Sequence, residues 1–226
     1  MGRLGLLGCV GGLILVLLIF GGWFVGVRNH LVDLDQARQA QWAQVENDYQ
    51  RRFDLIPNLV RTVQGVANFE KATLEAVVNA RSRVGQAQSP TGGAPGTQSD
   101  IPNNPQALQQ FEQAQAGLSS ALSRLLVVVE RYPDLKANQN FLQLQSQLEG
   151  TENRIAVERR RYNEVAQQYN AAVLKFPATL VASFSGFKSK PYFQGTEGSN
   201  KAPEVNFTPF GQTTATTPAA VPTGTR

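Results

Sequence analysis

One cysteine and one histidine occur among 226 residues. Cys9 sits in an apolar run near the start, so the chain beyond it can form no internal disulfide. Cys9 and His30 together fall short of a zinc ligand set. No Gly-x-Ser-x-Gly elbow occurs, and no glycine-rich phosphate loop opens a helix. Charge is sparse too, at 17% of residues and a net +4, with no Lys/Arg block to follow a phosphate backbone. Nucleic acid is therefore excluded as a partner. Glu152 and Glu158, a candidate acid/base pair, fall on a helical surface with no pocket to separate their pKa values. The expectation is a protein that is not an enzyme, with no catalytic, cofactor-binding or metal-binding residue.

What is present starts with a long uncharged stretch. Nothing between Arg3 and Arg28 is charged. As a helix, Leu4 to Val27 measures about 36 Å, enough to cross a hydrocarbon core of about 30 Å. It ends in Trp23 and Phe24, which suit an interfacial aromatic belt. No A-x-A cleavage site follows, so the segment reads as an uncleaved anchor. Leu6-Leu7-Gly8-Cys9 looks like a lipidation box, but the apolar run follows the cysteine where lipidation needs it ahead. Arg3 on one side and Arg28 and Arg38 on the other leave the topology open. Gly8-x-x-x-Gly12 and Gly22-x-x-x-Gly26 lie near one helical face, where small residues let two spans approach closely. The alternative is that glycine is simply common in spans.

Three apolar stripes follow. Trp42, Tyr49, Ile56, Val63, Val77 and Val84 share one seven-residue register, with Val45, Leu59, Val66 and Ala80 beside it. Pro57 interrupts this stretch, either as a hairpin turn or as a kink. The phase continues across it without a glycine, which favours one long kinked helix. Asn104-Pro105 is a helix start, and Leu108, Phe111, Gln115, Leu118, Leu122, Leu125, Val129 and Tyr132 then recur at 3-4 spacing. A third helix, from about Lys136 to Phe176, carries Phe141, Leu148, Ile155, Tyr162, Tyr169 and Phe176 at every seventh position. Stripes of this kind must cover one another. The expected fold is all-α: an N-terminal transmembrane helix (1–30), then an antiparallel up-and-down bundle of three to four long helices (31–193). A Gly/Pro-rich loop (86–103) interrupts the bundle, and a Thr/Pro/Gly-rich tail (194–226) with the composition of a disordered segment follows. After Pro177, the strip around Phe184, Phe187, Lys188 and Lys190 either caps the bundle or contacts the membrane surface.

Several of these stretches also match a family. Gln50-Arg51-Arg52-Phe53-Asp54-Leu55-Ile56-Pro57-Asn58-Leu59-Val60 and Tyr132-Pro133-Asp134-Leu135-Lys136-Ala137-Asn138 are two of them. Thr151-Glu152-Asn153-Arg154-Ile155-Ala156, Tyr162-Asn163, Tyr169-Asn170, Gly186-Phe187 and Tyr192-Phe193 are others. On these residues the chain resembles the LemA proteins of bacteria. The resemblance implies a single-pass protein of the bacterial inner membrane with a bundle usually counted as four helices. It implies no agreed activity and no established ligand residue; one relative takes part in building magnetosome membranes. Arg51, Arg52, Asp54, Asn58, Asn138, Asn153 and Arg154 are expected to form a polar network inside the bundle. The expected role is a scaffold or adaptor, with membrane lipid, other membrane proteins and copies of itself through the span as partners. The alternatives are a membrane-shaping, lipid-surface-binding protein and a hydrolase with an unrecognised site.

Overall fold

A computed structural model of the chain describes residues 2–65, 69–88 and 100–195, with side chains from Gly11 onward. Among them the regular structure is helical throughout: α1 (Gly2–Gln64), α2 (Lys71–Gln88), α3 (Pro105–Val129), α4 (Pro133–Lys136), α5 (Gln139–Leu174) and α6 (Ala178–Ser185). The all-α expectation holds. The loop expected over 86–103 is shorter within the described residues, because α2 reaches Gln88 and a folded turn begins at Asp100. Its centre, and the tail beyond residue 195, lie outside the described residues.

α1 carries the uncharged apolar segment expected as the anchor and the first stripe on one rod. Leu13 to Phe20 are 51–71% exposed, the condition of a helix with no protein neighbour. Along the chain, α1 is long and apolar enough to cross a membrane. Burial begins at Leu31, and Trp42, Val45, Tyr49, Ile56, Leu59 and Val63 are all buried.

Three core clusters fix how the helices run. Leu31 packs with Tyr169, Val173 and Ala182. Trp42, Val45 and Tyr49 pack with Phe111, Ile155 and Tyr162. Ile56 to Val63 pack with Leu74 to Val84, Leu118 to Val129 and Phe141. α5 therefore returns antiparallel along α1, and α2 and α3 form a second antiparallel pair over the far half of α1. The end bearing Leu31 is nearest the anchor. The end bearing Gln64, Phe69, Tyr132 and Phe141 is farthest from it.

Pro57 stays inside α1. A proline removes the N–H that would bond the carbonyl four residues back, that of Phe53. Arg81 of α2 supplies the donor: its Nε donates to Phe53 O at 3.3 Å, and its guanidinium lies 3.7 Å over the Phe53 ring. The continuous helix holds, but it does not reach Val84. It ends at Gln64, Gly65 forms a turn, and α2 is a separate helix. Val63 and Val77 kept one heptad phase across a chain reversal, which the spacing alone cannot reveal. In an Arg81→Ala variant we expect a loss of about 1 kcal/mol, because a part-buried acceptor loses its donor. In a Pro57→Ala background the loss shrinks, since the residue 57 N–H can then serve Phe53 O. A double-mutant cycle by chemical denaturation in detergent reads the difference.

The later helices begin as their sequences direct. Asn104 Oδ1 accepts from the N–H groups of Gln106 and Ala107 at 3.0 and 3.4 Å, with Pro105 in the first helical position. Asn138 Oδ1 caps α5 in the same way, accepting from Asn140 and Phe141. α6 ends at Gly186, whose φ of 78° is left-handed, and Phe187 N–H closes the turn on Ala182 O at 3.0 Å.

Candidate functional site

The densest polar constellation lies at the anchor end of the bundle, around Arg38. This side chain is 1% exposed. Its Nε and Nη2 donate to Asp35 Oδ1 at 3.0 and 2.8 Å, and its Nη1 donates to Pro102 O at 3.2 Å. Nη1 also reaches Tyr162 Oη at 3.4 Å, and Nη2 reaches Asn103 Oδ1 at 3.2 Å. Burial works against the Arg38 charge, but Asp35 and Tyr162 more than offset it, and its pKa is raised. The guanidinium stays charged and pins the turn 100–103 to α1 and α5.

A strap completes the cluster. Residues 188–193 run extended along α5, held by two asparagines seven residues apart. Asn170 Nδ2 donates to Lys190 O at 2.8 Å, and Lys190 N–H donates to Asn170 Oδ1 at 2.7 Å. Asn163 repeats the pairing with Phe193, at 2.9 Å in both directions. The spacing explains the fit. Seven helical residues rise about 10.5 Å, and three extended residues span about 10 Å. Each side-chain amide thus replaces a missing strand partner. Tyr169 Oη donates to Lys188 O at 3.1 Å, and Lys190 Nζ donates to Asn103 Oδ1 at 2.8 Å. The Phe193 ring stacks on Trp42 at 5.7 Å and meets Tyr162 edge-on at 5.4 Å.

A second buried cation, Arg52, ties three helices together mid-bundle. It donates to Ser119 Oγ at 2.6 Å and pairs with Glu152 at 2.9 Å. Burial pulls its pKa down, opposed by Glu152 and then Tyr49. Burial likewise pushes the Tyr49 phenol up to about 12, against the pull of Arg159 and Arg52. Unfolded tyrosine titrates near 10, so the unfolded chain loses this proton first. Stability present below pH 10 is then lost as pH rises to 12, by up to about 2–3 kcal/mol from this group. A Tyr49→Phe variant should show a shallower fall in that window when alkaline unfolding is followed by circular dichroism.

The seven signature residues do not converge on one buried network. Arg52 alone among them is buried. Asp54 accepts from Gln50 and Asn58 accepts from Arg61 on exposed faces, while Arg154 pairs with the half-buried Asp48 at 3.6 Å and donates to Thr151 Oγ1 at 3.2 Å. Asn138 is a helix cap. Arg51 and Asn153 are exposed. The polar residues that pin the turn and the strap, the buried Arg38 and Asn170 and the half-buried Asn163, were hidden because a polar residue beside a heptad stripe reads as solvated. One signal was available: Tyr-Asn occurs twice at heptad spacing, at 162–163 and 169–170.

The surface strip is split by Gly186. Phe184 is 84% exposed and Lys188 is exposed. Phe187, by contrast, turns back onto the Leu31 cluster, and Lys190 is held by Asn103 and Asn170. In the anchor, Gly12, Gly22 and Gly26 have open space where a Cβ would stand; the corresponding position at Gly8 lies outside the described residues. Along α2 and α3 runs a groove of about 390 Å³, lined by Ala76, Ala80, Ala114 and Gly117 with Arg83 and Arg124 at its rim. Among the described residues, no three His, Cys, Asp or Glu side chains gather as a metal site. The clusters pin backbone and helices; they do not set a nucleophile beside a base.

A family model described as the LemA family matches residues 41–207. Magnetosome protein MamQ 2 of Paramagnetospirillum magneticum is 30% identical over 178 residues, covering 74% of this chain and 64% of that protein. Magnetosome protein MamQ of Magnetospirillum gryphiswaldense is 29% identical over 173 residues, covering 73% and 64%. Protein LemA of Metamycoplasma hominis is 26% identical over 185 residues, covering 81% and 76%. The chain thus spans about 64% of the length of the magnetosome relatives it matches.

Proposed function

The chain belongs to the LemA family, and from that premise we propose that it is a single-pass scaffold of the bacterial inner membrane. It presents its bundle to protein partners and associates with copies of itself through the span. One observation carries the reading: α1 runs unbroken from the apolar segment to Gln64. The bundle is not tethered by a flexible linker; it is the upper part of the anchoring rod. From Val27 to Gln64 the rod rises about 55 Å, which sets the α2–α3 pair at a fixed height over the bilayer. Docking there needs only a preformed surface, and the groove between Arg83 and Arg124 offers one with a basic rim. Self-association falls to the span, where Gly8, Gly12, Gly22 and Gly26 allow close helix approach.

Crosslinking of the full-length protein in native membranes tests this. A scaffold gives reproducible heteromeric or homomeric adducts. Replacing the span glycines with leucine should remove the homomeric ones. Monomer alone, with no recurring partner, would overturn the proposal.

A further inference from the structure

We infer that the α5–α6 corner is a second membrane contact, seated in the headgroup region of the bilayer that holds α1. Leu174, Phe176, Leu180 and Phe184 are 67%, 80%, 52% and 84% exposed. Four large apolar side chains within eleven residues, all facing water, are costly on a soluble surface. They are not scattered. Leu180 and Phe184 share the outer face of α6, whose inner face buries Val181 and Ala182. Leu174 ends α5, and Phe176 follows it at once.

Their height identifies the occupant. α5 descends antiparallel to α1, with Tyr169 and Val173 packed on Leu31. Lys175 and Ala178 line the same groove as Val27 and His30. Phe176, between them in sequence, is therefore level with the last apolar turn of the span. The span's own Trp23 and Phe24 lie one turn below. A patch at that level meets lipid before it meets a soluble partner. Its charge fits as well. From Val165 to Phe193 there is no acidic residue, while Lys175 and Lys188 flank the patch. Such lysines can lay their stems along apolar surface and place their ammonium groups at lipid phosphates. A helix of this kind sinks about 5–10 Å into the headgroup and acyl boundary. The rod is thereby held at two points, so the bundle cannot swivel freely about the span.

The inference rests on α1 spanning the bilayer, and the test separates the two. Spin labels are placed on Phe176→Cys, Phe184→Cys, Leu17→Cys and Val78→Cys in a full-length Cys9→Ser chain. The protein is reconstituted in vesicles of phosphatidylethanolamine and phosphatidylglycerol, with folding checked by circular dichroism. Accessibility to oxygen is compared with accessibility to a water-soluble nickel complex. The labels at 176 and 184 should favour oxygen severalfold over the label at 78, which stands 49% exposed on the far pair. With the label at 17 immersed, aqueous readings at 176 and 184 would overturn the inference alone. Shielding of 176 and 184 from both reagents would also overturn it, since protein would then cover the patch. An aqueous reading at 17 would remove the anchor and the inference with it.

Discussion

Arg38→Ala should destabilise the protein by on the order of 3 kcal/mol, one of the largest losses available to a single substitution here. The side chain is almost wholly buried and makes five polar contacts, two of them to Asp35. Alanine leaves Asp35 with only Gln39 as a donor and opens space where the long stem lay. Pro102 O and Asn103 Oδ1 keep one donor each, from Tyr162 and Lys190. The loss therefore stays below that of an isolated buried charge. Arg38→Lys should recover part of it, because an ammonium can satisfy one of these acceptors but not the forked set. Chemical denaturation in detergent gives the magnitude. Hydrogen exchange gives the location, which should be the turn 100–104 and the strap 188–193, while the α2–α3 pair keeps its protection.

Phe193→Ala should cost about 3–5 kcal/mol, the range for deleting a buried aromatic ring. Phe193 is 5% exposed and contacts Trp42 and Tyr162 through its ring; the Arg159 guanidinium lies 4.8 Å above it. The backbone pairing with Asn163 survives this substitution, so the measured loss belongs to the ring. Asn163→Leu removes the other half, stranding an N–H and a carbonyl of the strap at about 1–3 kcal/mol. In a Trp23→Phe chain, Trp42 is the single tryptophan. Its emission should shift to longer wavelength in Phe193→Ala as water reaches the indole. An unshifted emission with unchanged stability would mean that the strap does not pack there.

Much of the fold was legible because burial leaves periodic marks. The stripe from Trp42 to Val63 is buried almost residue for residue, and Asn104-Pro105 starts α3 where capping chemistry puts it. A helix long and apolar enough to cross a membrane was legible from length and lack of charge. Two features were not. The reversal between Gln64 and Lys71 hid behind a heptad phase that happened to continue, with Gly65 as the weak sign of it. Phe176 continues the α5 stripe by spacing, yet α5 stops at Leu174 and the ring is 80% exposed. A seven-residue register says which face a residue takes only while the helix lasts. The polar clusters were harder still. Apolar residues announce burial by type, whereas Arg38 and Asn170 become interior, and Asn163 half-buried, only because a distant segment lies over them. Arg52 was singled out, but with six residues that share neither its burial nor its partners.

The continuity of α1 is the claim on which the scaffold reading and the second membrane contact both depend. A pulsed dipolar measurement between spin labels at His30 and Gln64, in the full-length protein in lipid, tests it most directly. One unbroken helix separates these positions by about 50 Å in a narrow distribution. A helix folded back at Pro57 would bring them to about 30 Å; that distance, or a broad spread of distances, would contradict a rigid rod joining membrane to bundle.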